Sequence, residues 1–263
     1  LYPMAELGKD INRAKQLLDR GELVAIPTET VYGLAANALD ATAAARIFAA
    51  KNRPSFDPLI VHVATPLRVR ELVTDFPDQA QTLATTFWPG PLTLVLPKKN
   101  HIPDLVTAGL PTVGVRCPSH ELTLELLHLL DYPLAAPSAN PFGYVSPTRP
   151  EHVQEQLGSQ VAYILDGGPC RVGVESTIVG FDDGPVIYRL GGVAVEEIEN
   201  VVGRVRVMTH SSSNPVAPGQ LASHYAPARQ IVLGNIAELL TQHPNEKVAL
   251  LRYHKRLPDT PLP

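Results

Sequence analysis

An α/β layered domain is the fold class that this sequence predicts, on two observations. Short apolar runs of strand length alternate with helix-period segments along most of the chain. Many of those runs empty directly into turns built from Pro, Gly, Ser, Thr and Asn. In open sheets of this class ligands gather beyond the carboxyl ends of the strands, so these turns are where chemistry is expected.

The elements follow in order. Ile11, Ala14, Leu17 and Leu18 share one helical face, and Gly21 stands where a helix would stop. Residues 23–26 read as a buried strand, Asp40 as the cap of a helix over 41–50, and 59–63 as a second strand. Further strands are expected at 92–96, 113–116, 134–136, 163–165, 176–179 and 186–188, and helices at 122–130, 151–157 and 195–202. From 209 to 219 the composition shifts to Ser, Asn and Pro without periodicity, as in a linker. Beyond it, 230–233, 236–240 and 247–251 sketch a strand, a helix and a strand, the start of a small second α/β domain. The expected division is 1–208, 209–227 and 228–263.

Composition excludes several classes. At 263 residues with a formal net charge of −4, the chain is not a basic coat for nucleic acid, though a local cationic cleft is compatible with that balance. Cys117 and Cys170 make no disulfide framework, which suits a reducing cytoplasm. No run of about 18 uncharged apolar residues is present, and a soluble cytoplasmic protein with no membrane partner is expected.

Strand 23–26 runs into Pro27-Thr28-Glu29-Thr30-Val31-Tyr32-Gly33-Leu34, which offers the hydroxyls of Thr28, Thr30 and Tyr32 to a ligand. Lys51-Asn52-Arg53-Pro54 closes the helix begun at Asp40, and its cations suit either a polyphosphate or the negative end of the helix dipole. His62 follows an apolar run and reads either as a core histidine or as a functional one. Trp88 within Trp88-Pro89-Gly90-Pro91 reads as core packing. Thr112, Gly114 and Arg116 alternate onto one strand face, and Arg116 would grip a carboxylate or join a surface ion pair.

Some chemistries are absent. Gly168 to Thr177 has superficial P-loop spacing, but Val174 and Glu175 stand where Lys and Ser/Thr are needed. No dinucleotide fingerprint, nucleophile elbow or metal-spaced His/Cys cluster is found, and Cys117 reads as a packing residue rather than a thiolate nucleophile. What remains is a set of cations and hydroxyls at predicted strand ends: Thr30, Lys51, Arg53, His62, Arg116, Ser138, Ser146, Ser176 and Arg189. Such a set positions phosphates and a carboxylate and works by electrostatics.

Residues 27–38 (PTETVYGLAANA), 51–62 (KNRPSFDPLIVH), 88–96 (WPGPLTLVL), 112–118 (TVGVRCP), 136–140 (APSAN), 166–179 with DGG and GVESTIV, and 188–192 (YRLGG) together resemble the threonylcarbamoyl-AMP synthases, the YrdC-like family. The likeness spans about residues 10–208 in order, and 213–227 (SNPVAPGQLASHYAP) resembles the linker of its longer members. The resemblance implies an open twisted mixed sheet flanked by helices around a large concave cavity, with 1–208 as the catalytic domain. It implies synthesis of threonylcarbamoyl-adenylate and pyrophosphate from L-threonine, bicarbonate and ATP with Mg²⁺. A separate transferase machinery then modifies tRNA, and weak RNA binding is a further expectation.

Carried over by position, Thr30, His62, Arg116, Ala136 and Ser176 match the threonine-binding places. Arg53, Asp57, Thr112, Ser138, Ser146, Arg189 and Tyr225 match those for ATP, with Lys51 a phosphate neighbour and, with Arg53, the catalytic pair. The stretch Ser55-Phe56-Asp57 departs from the family pattern. Residues 211–227 are expected to close over the pocket as a lid, with the C-terminal piece as its anchor. The rival readings are a carbamoyl transferase acting on carbamoyl phosphate and a double-stranded RNA-binding module in the same basic concavity.

Overall fold

The computed structural model describes residues 4–208, 217–219, 231–244 and 247–251. The chain divides into two compact units, Leu1–Ala226 and Pro227–Pro263. In the first, β1 (Glu6–Gly8), α1 (Ile11–Asp19), β2 (Val24–Ile26), β3 (Gly33–Asn37), α2 (Ala41–Lys51) and β4 (Ile60–His62) come first. Then come α3 (Val69–Leu72), α4 (Asp78–Phe87), β5 (Leu92–Pro97), β6 (Thr112–Arg116), α5 (Glu121–Leu129) and β7 (Leu134–Ala135). The unit continues with α6 (Pro150–Leu157), β8 (Tyr163–Leu165), β9 (Thr177–Gly180), β10 (Val186–Arg189), α7 (Val195–Val202) and β11 (Arg206–Val207).

Acidic caps start two helices, at Asp40 as predicted and at Asp10 in addition. Asp10 and Asp40 each accept hydrogen bonds from backbone N–H groups of the first turn, at Asn12 and Arg13 and at Thr42 and Ala43. Helix α2 ends at Asn52 in the left-handed conformation (φ 55°), and the chain turns so that Arg53 N reaches Phe48 O at 3.0 Å. That turn sends Arg53 away from the helix and towards the end of β4.

The strands form one open mixed sheet in the order β1-β8-β2-β3-β7-β4-β6-β5-β9-β10-β11. Central β4 pairs in parallel with β6 and antiparallel with β7, and it sets His62 opposite Arg116. Alternation along β2 sends Val24 and Ile26 to one face with α1 and α5, and Ala25 to the other with α2, α4, α6 and α7. Helices therefore cover both faces, and polar side chains collect where the strands run out.

The expected elements need correction in both units. Strands β1, β3 and β11 and helices α3 and α4 are not among the predicted elements. In α4 the buried stripe is small, Ala80, Leu83 and Ala84, between threonines, and its apolar signal is correspondingly weak. β3 is Gly-Leu-Ala-Ala-Asn, without a β-branched residue, and is a strand because β2 and β7 pair with it on either side. In the second unit a helix, α8 (Ile236–Gln242), lies where one was predicted. The flanking strands expected at 230–233 and 247–251 are not formed among the described residues. Ile231, Leu233 and Leu251 are exposed there, with no partner strand to pair their backbone groups.

Candidate active site

The turn after β2 is built by one hydroxyl. Thr28 Oγ1 donates to Val31 O at 2.6 Å and accepts from the backbone N–H groups of Thr30 and Val31, both at 3.2 Å. It also lies 2.8 Å from Thr30 Oγ1. The loop before β9 is latched onto this turn by Val172 N to Glu29 O at 2.7 Å and Gly173 N to Thr30 O at 3.1 Å. Gly173 adopts φ 76°, a backbone region that glycine enters without steric cost.

Between these loops lies a pocket that opens to solvent. Thr30, Arg53, His62, Arg116, Ala136, Ser138, Ser176 and Arg189, all named from the sequence, line it. Thr28, Val31, Gly33, Ile60, Pro137, Glu175 and Pro218 complete the wall. Cations and hydroxyls from strand ends far apart in sequence thus share one enclosure.

Several expected residues stand elsewhere. Tyr32 does not line the pocket; it is fully buried, and its hydroxyl donates to Gly168 O at 2.8 Å. Lys51 is buried beneath the wall, its Nζ donating to Ser138 O at 2.5 Å and also to Asn140 O. Burial, and then the neighbouring Arg53 charge, pull that ammonium well below its ordinary pKa. Thr112 lines a smaller adjacent cavity with Thr93, Gly114 and Ile178, and Pro218 belongs to both cavities. Ser146 donates to the Glu175 carboxylate. Tyr225 lies outside the described residues.

Arg53 is held by its own loop. Nε donates to Asp57 O at 3.1 Å and Nη2 to Pro58 O at 2.8 Å, while Asp57 Oδ2 lies 2.9 Å from Nη2 as an ion pair whose angle is too poor for a hydrogen bond. Burial raises the Asp57 carboxyl pKa, and Arg53, Lys51 and Arg189 oppose that rise. His62 is buried with no hydrogen bond at Nδ1. Burial and the Arg116 charge push its pKa down to about 3, so the ring is neutral at ordinary pH.

Two functional partners were missed from sequence. Thr93 Oγ1 is 2.7 Å from Ser176 Oγ, and Arg189 Nη2 donates to that same Oγ at 3.1 Å, so two residues fix the Ser176 hydroxyl. Glu29 pairs with Arg116 through Nη2 at 2.6 Å, an ion pair as one of the two expected readings had it, but buried rather than at the surface. Neither pairing leaves a local signal, because the partners are 83 and 87 residues apart. Cys117 is fully buried with its thiol pushed up to about 12, as befits a packing residue, and Trp88 is in the core with Nε1 donating to Leu92 O at 2.6 Å.

Comparison with known proteins decides the family. The Sua5/YciO/YrdC family model, described as "Telomere recombination", matches residues 16–191. The chain belongs to this family. A second model, "Threonylcarbamoyl-AMP synthase, C-terminal domain", matches residues 193–260. A threonylcarbamoyl-AMP synthase of Pyrococcus abyssi is 47% identical over 228 residues, covering 85% of this chain and 67% of that protein. The Bacillus subtilis protein of the same name is 46% identical over 228 residues, covering 85% and 66%.

The crystal structure of P. abyssi Sua5 complexed with L-threonine matches with a TM-score of 0.82 at 46% identity, over 85% of this chain and 69% of that one. The chain spans about two thirds of the length of the P. abyssi and B. subtilis relatives. The open mixed sheet is the fold of this family. No helix among the described residues is long and apolar enough to cross a membrane.

Proposed function

We propose that the chain is an L-threonylcarbamoyladenylate synthase, a nucleotidyltransferase that joins L-threonine, bicarbonate and ATP into threonylcarbamoyl-AMP and pyrophosphate. One observation carries the reading: Arg53, Arg116 and Arg189 converge with Thr30, Ser138 and Ser176 on a single pocket, in a chain whose 46%-identical structural neighbour is complexed with L-threonine. The adenylate would feed a separate transferase that modifies tRNA.

The chemistry asks little covalent help of the protein. The threonine amine, after losing a proton, attacks the bicarbonate carbon; water leaves and a carbamate forms. A carbamate oxygen then attacks the α-phosphorus of ATP and pyrophosphate departs. Arg53 and Arg189 face the charge that develops on the phosphates, and Arg116 holds the amino-acid carboxylate. His62, being neutral, offers a hydrogen bond without adding a cation beside Arg116.

No group of three or more His, Cys, Asp or Glu side chains converges among the described residues. That donor set fits Mg²⁺ arriving on the triphosphate rather than in a protein cage, with Glu175 as the carboxylate on the pocket wall. Mg²⁺ so held would screen phosphate charge.

Both intermediates hydrolyse readily, so water must be kept out during turnover. We assign 1–208 as the catalytic domain, 209–227 as a linker that closes over the pocket, and 228–263 as the beginning of the C-terminal domain. The described part of the linker supports this, since Ala217 is fully buried and Pro218 lines the pocket and accepts from Arg189 Nη1 at 3.3 Å. Unchanged ATP affinity and turnover after deletion of everything beyond Met208 would rule the closure out.

ATP–pyrophosphate exchange tests the function. Exchange that requires both threonine and bicarbonate supports a synthase. Exchange without threonine, or nucleic-acid binding as the sole activity, refutes it and returns the rival readings.

A further inference from the structure

Arg116 is gripped from behind. Its Nη2 donates to Glu29 Oε1 at 2.6 Å and its Nε to Gly90 O at 3.3 Å. Glu29's other oxygen, Oε2, accepts from Ser119 N at 3.0 Å. Both residues are almost fully buried, with Glu29 at 3% and Arg116 at 4% exposure, yet only Arg116 lines the pocket. Among the described residues Nη1 has no hydrogen-bond partner, so one corner of the guanidinium fork is left for a ligand.

Glu29 is itself anchored. Its carbonyl accepts from Val172 N at 2.7 Å, and the turn that carries it is fixed by Thr28 Oγ1. A guanidinium is planar and rigid, so pinning Nε and Nη2 also fixes the direction of Nη1. A guanidinium held through a single donor could swing to meet a ligand in several poses, and a lysine-like point charge could not read direction at all.

We infer that Glu29 is a positioning residue for substrate selection: it orients Arg116 so that Nη1 alone addresses the carboxylate of the amino-acid substrate. The inference rests on the synthase reading above and deepens it. Selection against a ligand lacking the free carboxylate would then depend on Glu29, which never touches substrate. Removing the Glu29 charge while keeping its shape leaves Arg116 present but loosely aimed, so recognition of the carboxylate suffers while the phosphate side of the pocket, with Arg53 and Arg189, is unaltered.

The test compares the full chain with Glu29→Gln and Glu29→Asp, titrating each calorimetrically with L-threonine, L-threoninamide and ATP. The unaltered protein is expected to prefer threonine over the amide. Glu29→Gln is expected to lose about tenfold in threonine affinity, the scale of one charge-assisted hydrogen bond, and to reduce the preference over the amide by a similar factor, with ATP affinity unchanged. Glu29→Asp keeps the charge but withdraws it by one methylene, and should show the same loss if Glu29→Gln does not fold.

A purely structural role would lower threonine, amide and ATP binding together and leave the preference at its original value; that result overturns the inference. Wild-type preference in both variants overturns it as well. If the unaltered protein binds ATP but neither threonine nor its amide, the synthase reading fails and the inference goes with it, an outcome distinct from failure of Glu29 alone.

Discussion

Lys51 Nζ donates to Ser138 O at 2.5 Å, tying the last turn of α2 to the loop after β7 that lines the pocket. The same ammonium reaches Asn140 O, and Lys51 O accepts from Phe142 N at 2.8 Å, so one residue holds the loop over 138–142. Lys51→Met keeps the apolar stem and removes the donors. The carbonyls of half-buried Ser138 and buried Asn140 then lack a partner, at about 1–3 kcal/mol each, and a loss of roughly 2–6 kcal/mol in urea unfolding is expected. ATP affinity should fall with it, because Ser138 is on the wall. An unchanged unfolding midpoint would show that the carbonyls find other donors.

Arg53 and Arg116 enter the pocket from different supports, the first from its own loop at Asp57 and Pro58, the second from Glu29 and Gly90. Arg53→Ala is expected to weaken ATP binding more than threonine binding, by about tenfold or more for a lost charge-assisted contact. Arg116→Ala is expected to do the reverse and to abolish threonine-dependent exchange. Separate titrations of each ligand decide the matter. Equal losses of both ligands in both variants would refute the division of labour.

Much of this site was legible because its residues sit in strand–turn units that a single sequence reveals. Thr30 follows a buried run, Arg116 ends an alternating strand, and Ser176 and Arg189 bracket a hairpin, so each is marked by its own stretch of sequence before the long-range pairings of the sheet gather them. The wall's supports were not legible in the same way. Tyr32 reads like Thr28 and Thr30 on paper, and its hydroxyl is turned inward by contacts with Gly167 and Gly168, 135 and 136 residues away. Glu29 is one more turn residue until Arg116 arrives beside it. β3 owes its strand conformation to its neighbours, and α4 hides its buried stripe among small residues. Local chemistry is written locally, whereas the pairing that fixes it belongs to the folded sheet.

His62 makes stability depend on pH with a definite sign. In the unfolded chain its pKa is near the ordinary 6.5, and in the fold it is pushed down to about 3. Between those values the unfolded state binds more protons, so the contribution is fully present above 6.5 and declines as pH falls towards 3. One proton gives a limiting slope of about 1.4 kcal/mol per pH unit. His62→Gln should flatten this part of the profile, so that its deficit against the unaltered protein at about pH 7 shrinks by about pH 5. Urea midpoints across that range provide the check, and parallel profiles would mean that His62 does not carry the dependence.

Gly191 lets two backbone segments meet beneath the pocket. A Cβ there would lie 2.4 Å from both Glu175 O and Ser176 C, and neither is the movable end of a side chain. The close approach permits Gly192 N to reach Glu175 O at 2.9 Å, and it keeps Arg189 beside Ser176 O, which accepts from Nε at 3.1 Å and Nη2 at 2.9 Å. Gly191→Ala must push these segments apart. Overpacking of this kind costs about 1–3 kcal/mol, and under the proposed function the displaced Ser176 and Arg189 would serve the threonine and ATP sides of the pocket respectively. A lowered urea midpoint together with weaker binding of both ligands is therefore expected, unlike the one-sided losses of the arginine variants. Parental values for the midpoint and both affinities would mean that the two segments can separate freely and that Gly191 does not set the position of Ser176.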